Sequence, residues 1–217
     1  MKRIAFFGGT FDPVHNGHLK IARTLVEFFR LDRFYFLPAF HAPHKAERKP
    51  TSAYHRFAML SIASESDPSI FVSAHELDRR EPRYTVDTIP ELGAEFPESK
   101  LFFVMGADSW IDITTWKRWE DLLSITNHIV VARPGFEINV AHVTDGIRER
   151  IEDIRGADMS RVSDVERNEA AIYITDAVHF DTSSTMLRED LSDGELDRDT
   201  DIPIEVANYI EKYELYR

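Results

Sequence analysis

Two histidines three residues apart, His15 and His18, follow a glycine pair, Gly8-Gly9, in the stretch GGTFDPVHNGH. At i and i+3 on a helix two imidazoles can face the same side. Glycines at the end of a strand let the backbone come close to a ligand. A helix start offers unpaired N–H groups and partial positive charge, which favour phosphate. The chemistry open to this stretch is therefore contact with phosphate oxygens. It is not a Walker A loop, since no Gly-Lys-Ser/Thr is present, nor the Gly-x-Gly-x-x-Gly dinucleotide fingerprint. Metal ligation by the histidines lacks an obvious third ligand nearby, and a structural role for both rings is the other alternative.

A second group lies near the other end, where Asp181-Thr182-Ser183-Ser184-Thr185-Met186-Leu187-Arg188 precedes and opens a helical pattern. Serine and threonine at a helix start are commonly caps. The same hydroxyls with helix N–H groups and one guanidinium also suit an anion.

These groups need elements to hold them. Residues 3–7 form a short apolar run that stops at Gly8-Gly9, which predicts a buried strand. Leu19, Ile21, Ala22, Leu25, Val26 and Phe29 then supply the apolar face of a helix opening near Gly17. Residues 34–37 predict a second strand, closed by Pro38. Strand, helix and strand in succession make a βαβ unit with parallel strands and a right-handed crossover. Further strands are expected at 70–72, 101–105, 129–132 and 171–175. Helices are expected from Ser52 to about Ser64, at 87–92 with Pro90 limiting the length, from Ser183, and at 203–213 with Pro203 in the first turn. This alternation predicts an α/β, doubly wound parallel sheet with a small C-terminal helical part. Residues 38–51 read as a loop with prolines and basic residues. Residues 136–170 are charged and poor in large apolar side chains. They read as a surface insertion in a single domain spanning 1–217, with Ile147, Ile151 and Ile154 as the stripe of one helix.

The 217 residues suffice for one sizeable α/β core. The absence of cysteine excludes disulfides, thiolate zinc sites and cysteine nucleophiles. A net charge of -12 argues against nonspecific nucleic-acid binding but leaves room for a local basic pocket that takes a small anion. No apolar run approaches membrane-spanning length. The start, MKRIAFFGG, lacks the long apolar stretch and cleavage site of a secretion signal. The expectation is a cytoplasmic chain without nucleic-acid or membrane partners; a homo-oligomer is left open.

The segment Phe11-Asp12-Pro13-Val14-His15-Asn16-Gly17-His18 resembles the nucleotidyltransferase signature, whose core is His-x-Gly-His. Ser183, Ser184, Thr185 and Arg188 match that superfamily's closing Ser-Ser/Thr-Thr-x-x-Arg motif, with a departure at Thr182, where an aliphatic residue is expected. The pieces Ala42-Pro43-His44-Lys45, Arg83-Tyr84-Thr85-Val86-Asp87-Thr88, Gly106-Ala107-Asp108, Thr115-Trp116 and Arg133-Pro134-Gly135 extend the likeness. Apart from about 136–170, the chain is similar to bacterial nicotinate-mononucleotide adenylyltransferases.

The resemblance implies a Rossmann-like fold. It also implies transfer of AMP from ATP to nicotinate mononucleotide, giving deamido-NAD and pyrophosphate in NAD biosynthesis. Mg²⁺ would be carried by ATP, without a protein metal site. By resemblance, His15, His18, Lys45 and Arg188 are catalytic. Gly8, Gly9, Thr10, Phe11, Gly17, Gly106, Asp108, Arg133, Ser183, Ser184 and Thr185 face ATP. His44, Tyr84, Thr85 and Trp116 face the mononucleotide. Some alternatives stay open: Asp108 on a ribose or as a helix cap, Arg133 on nucleotide or on a nearby carboxylate, Trp116 on the pyridine ring or in the core. Rival readings are another superfamily member, such as phosphopantetheine adenylyltransferase, and a nucleotide-binding regulator without catalysis.

Overall fold

The structure is a computed structural model, and it describes residues 1–40, 50–79, 81–132, 138–157, 170–178, 184–193 and 201–217. Among these, seven strands form one sheet: β1 (Lys2–Gly9), β2 (Arg33–Pro38), β3 (Ile70–Val72), β4 (Ser99–Gly106), β5 (Asn127–Val131), β6 (Ile151–Asp153) and β7 (Ile172–Thr175). Their order is β3-β2-β1-β4-β5-β7-β6, and every pairing is parallel. The chain builds outward from β1 through β2 to β3, then returns to place β4 on the other side of β1. That reversal leaves a crevice at the carboxyl ends of β1 and β4, the usual ligand position in an open parallel sheet.

The helices are α1 (Asn16–Phe28), α2 (Ala53–Ser64), α3 (His75–Arg79), α4 (Thr85–Glu95), α5 (Ala107–Ile111), α6 (Trp119–Ile125), α7 (Asp145–Arg148), α8 (Ser184–Asp193) and α9 (Ile204–Lys212). Side chains of β1 alternate between two cores. Ala5 and Phe7 join a layer with α1, α2, α8 and α9; Ile4 and Phe6 join a layer with α4, α5, α6 and α7. Both faces are covered, which is why the strands read as continuous apolar runs. Among the described residues, no helix is long and apolar enough to cross a membrane.

Two expectations need correction. Pro90 does not limit its helix to 87–92, because α4 runs from Thr85 to Glu95. Pro90 is exposed, while Val86, Ile89 and Leu92 form a buried stripe on the opposite side. That packing offsets the proline's cost of about 3 kcal/mol. Ile147, Ile151 and Ile154 do not share one helix. α7 is a single turn, and the chain then extends as β6, because the open edge of β7 offers hydrogen-bond partners. Ile172 N–H reaches the Arg150 carbonyl at 3.0 Å and Ile154 N–H reaches that of Ile174 at 2.9 Å. Ile151 and Ile154 then pack on opposite cores, as residues an odd number apart on a strand do.

Candidate active site

The crevice is lined first by the end of β1. A Cβ on Gly8 would lie 2.8 Å from Cζ of Phe103, and one on Gly9 would lie 2.8 Å from Cζ of Phe11. Glycine is therefore needed for the backbone to pass over these rings. Phe11 turns the chain with φ 51, and its buried ring meets Phe7 and Phe36 edge-on at 5.4 and 5.3 Å. His15 is the N-cap of α1, in extended backbone. His18, one turn in, points back: its Nδ1 accepts the His15 backbone N–H at 3.3 Å. This is the role glutamate plays in a capping box. The two imidazoles lie 3.7 Å apart at 33°, and Phe11 abuts His18 at 5.0 Å. His15 is buried and His18 is half-buried. Because Nδ1 of His18 accepts, the neutral ring carries its proton on Nε2, which becomes a donor.

The second motif docks directly on the first. Ser184 Oγ donates to the Pro13 carbonyl at 3.0 Å, and Arg188 Nη1 donates to that of Asp12 at 2.7 Å. The other Arg188 terminal nitrogen, Nη2, reaches Thr185 Oγ1 at 3.1 Å. Asn16 N–H adds a bond to the Asp201 carbonyl at 2.8 Å. Arg56, fully buried, braces the loop from the other side. It donates to the carbonyls of Thr10 (2.6 Å), Thr51 (2.8 Å), Ala39 (2.6 Å) and Phe40 (3.2 Å). Burial lowers its pKa from the usual guanidinium value, and the nearby Asp12 opposes that shift.

A cavity of about 250 Å³ opens beside this loop. Gly8, Gly9 and Thr10 line one side; Tyr84 and Thr85, at the start of α4, line another; Asp108 and Trp116 complete it. Trp116 is half-buried, edge-on to Phe103 at 6.4 Å. Asp108 folds back so closely that a Cβ on Gly106 would lie 2.6 Å from its Oδ1. At the rim, Lys117 Nζ sits 4.5 Å over the Tyr84 ring and 3.0 Å from Asp87. Glu76 and Arg83 also line the cavity. Glu76 is buried and accepts from Thr88 Oγ1 at 3.2 Å; burial pushes its carboxyl up to about 7, against the opposing pull of that bond, His75 and Arg83. Arg83 pairs with Glu91, and its Nε is buried without a hydrogen-bond partner among the described residues. A larger hollow, of about 1120 Å³, lies at the amino ends of β1 and β4 beside Arg3 and Lys100, away from the switch point.

Residues 6–190 match the model of the cytidylyltransferase-like family. The chain belongs to this family. It is 36% identical over 216 residues to a probable nicotinate-nucleotide adenylyltransferase of Thermoanaerobacter sp. (strain X514), covering 99% of this chain and 94% of the relative. It is 33% identical to the nicotinate-nucleotide adenylyltransferase of Bacillus subtilis (strain 168), covering 100% and 99%. The fold is similar to that of Plasmodium falciparum nicotinic acid mononucleotide adenylyltransferase complexed with NaAD. That likeness has a TM-score of 0.72 at 20% identity and covers 100% of this chain and 98% of the other.

In this cytidylyltransferase-like chain the expected residues fall into two groups. Gly8, Gly9, Thr10, Tyr84, Thr85, Asp108 and Trp116 share the cavity, with Gly106 directly beneath Asp108. His15, Gly17 and His18 lie at the start of α1, where Asp12 and Pro13 receive Arg188 and Ser184; Thr185 stands beside Arg188. His44, Lys45, Arg133 and Ser183 lie outside the described residues. Sequence reasoning missed Arg56 and Glu76, and it quoted Arg83 only as part of the Tyr84-Thr85 segment, without a role. Glu76 carried one weak signal, its place in a charge-rich stretch ahead of the Arg83-Tyr84-Thr85 segment. Arg56, on a helix with apolar neighbours, reads like any helical cation.

Proposed function

We propose that this chain transfers AMP from ATP to nicotinate mononucleotide, giving deamido-NAD and pyrophosphate. The observation that carries the reading is the docking of Ser184 and Arg188 on Pro13 and Asp12, which puts both phosphate motifs at one crevice. The named relatives support the choice of acceptor. A phosphate oxygen of the mononucleotide attacks the α-phosphorus of ATP in line. The new P–O bond forms as the bond to the β-phosphate oxygen breaks, and that oxygen departs with pyrophosphate. A phosphate monoester is already nucleophilic near neutral pH, so no protein nucleophile is required. Catalysis is then positioning and charge stabilisation.

In this reading Nε2–H of His18 donates to the α-phosphate, whose charge grows in the transition state. His15 holds the loop and contacts phosphate. Lys45, Ser183, Ser184, Thr185 and Arg188 hold the β- and γ-phosphates. Asp108 receives the adenosine ribose, and Trp116 stacks on the pyridine ring against Thr85, Tyr84 and His44. Imidazoles, hydroxyls and guanidinium suit phosphate oxygens rather than a bare cation, so the substrate is written as MgATP, with Mg²⁺ held by phosphates and water. The choice of the nicotinate form rests on the named relatives, since Arg83 and Lys117 at that end are each paired with a carboxylate, Glu91 and Asp87.

The test is to mix the protein with MgATP and each of three acceptors: nicotinate mononucleotide, nicotinamide mononucleotide and phosphopantetheine. Chromatography should find deamido-NAD and pyrophosphate in equal amounts, formed fastest with the nicotinate form. Faster turnover of phosphopantetheine, or no pyrophosphate with any acceptor, would contradict the proposal.

A further inference from the structure

The last turn of the chain reaches the first motif. α9 ends in a reversal: Glu214, with φ 52, donates to the Glu211 carbonyl at 3.2 Å, and Leu215 N–H reaches that of Ile210 at 3.1 Å. This Schellman arrangement turns the backbone back along the helix. Leu215 and Tyr216 then pack against the core, and the Tyr216 hydroxyl donates to Asp12 Oδ1 at 2.6 Å. The second oxygen of the same carboxylate, Oδ2, accepts the Thr51 N–H at 3.2 Å, and the Asp12 carbonyl accepts Arg188. Asp12 is itself buried, and it stands between Phe11 and the residues that start α1.

We propose that Tyr216 is a positioning residue for the phosphate loop, which it holds through Asp12 so that His15 and His18 keep their aim. Tyr216 thus acts on a site more than 200 positions away in sequence. Burial, and then the Asp12 carboxylate, push the phenol's ionisation upward, so the hydroxyl stays protonated and remains a donor. Its partner is charged, and a bond to a charged group is worth more than a neutral one. A shift of an ångström in the loop changes transfer rates steeply, because the reacting atoms must be in line. The inference rests on the proposed role of His18.

The experiment compares the full chain with Tyr216→Phe, Tyr213→Phe and His18→Ala, using MgATP and nicotinate mononucleotide well below each variant's melting temperature. Tyr216→Phe keeps the ring and deletes only the hydroxyl. It should lower kcat by roughly ten-fold, as expected for a lost bond to a charged group, with both KM values within about two-fold of the parent. Tyr213, half-exposed at the end of α9, should tolerate its change. If Tyr216→Phe keeps kcat within two-fold, or loses activity only in proportion to the fraction unfolded by circular dichroism, the inference is wrong. If His18→Ala is also near normal, the site reading itself fails; if His18→Ala is inactive while Tyr216→Phe is normal, only the role of Tyr216 falls.

Discussion

At the scale of the residue, the site depends on atoms whose partners are already fixed. His18 Nδ1 is engaged by the His15 backbone, so its contribution comes from Nε2. His18→Ala should lower kcat by roughly 10²-fold or more, the usual size for a lost transition-state donor, with a melting temperature only a few degrees lower, from the lost capping bond to His15; near-normal turnover would remove its role. Trp116→Ala should raise KM for the mononucleotide more than for ATP, and equal changes would remove the stacking. Glu76 carries a pH dependence. Burial pushes its carboxyl up from the ordinary 4.5 to about 7, so the folded state binds that proton more tightly than the unfolded chain. Stability from this group is therefore lost as pH rises from about 4.5 through about 7, by roughly 3 kcal/mol at most. Glu76→Gln should gain stability over the parent as urea unfolding is moved from pH 5 to pH 8; parallel profiles would contradict this. Histidines and hydroxyls were legible because their chemistry is written in local spacing. Arg56, Glu76 and Tyr216 were not, because their meaning lies in contacts with residues far away in the chain.

At the scale of the element, each strand was legible where apolar runs stopped at glycine or proline, as at Gly9, Pro38 and Gly106. What escaped was set by neighbours. β6 exists because β7 has an open edge, and α4 passes Pro90 because its buried stripe continues. The short helices α3, α5 and α6 were missed as well, since too few turns are present to show a period. α1 closes in a Schellman turn, with Leu31 N–H on the Val26 carbonyl at 2.9 Å and Arg30 on that of Glu27 at 3.2 Å. Arg30 sits there at φ 48 and is exposed. A side chain in that region is strained. Arg30→Gly should therefore stabilise the fold by about 0.5–1 kcal/mol in urea unfolding. Destabilisation would show that the Arg30 side chain contributes more than its backbone costs.

At the scale of the whole molecule, a chain of net charge -12 gathers Arg56, Arg83, Lys117 and Arg188 about one crevice. A negative chain and an anionic substrate are compatible, because only the local field meets a bound triphosphate, and Arg56 and Arg188 stand at the β1–α1 loop. The sheet order puts the glycine turn of β1 at the switch point, and the C-terminal helices fold back to meet it. The most direct measurement of that convergence is a crystal structure of the complex with a non-hydrolysable ATP analogue and Mg²⁺. The α-phosphate should lie within hydrogen-bonding distance of His18 Nε2, and the β- and γ-phosphates at the start of α8, near Thr185 and Arg188. A triphosphate seated elsewhere, such as the hollow beside Arg3 and Lys100, would contradict that placement.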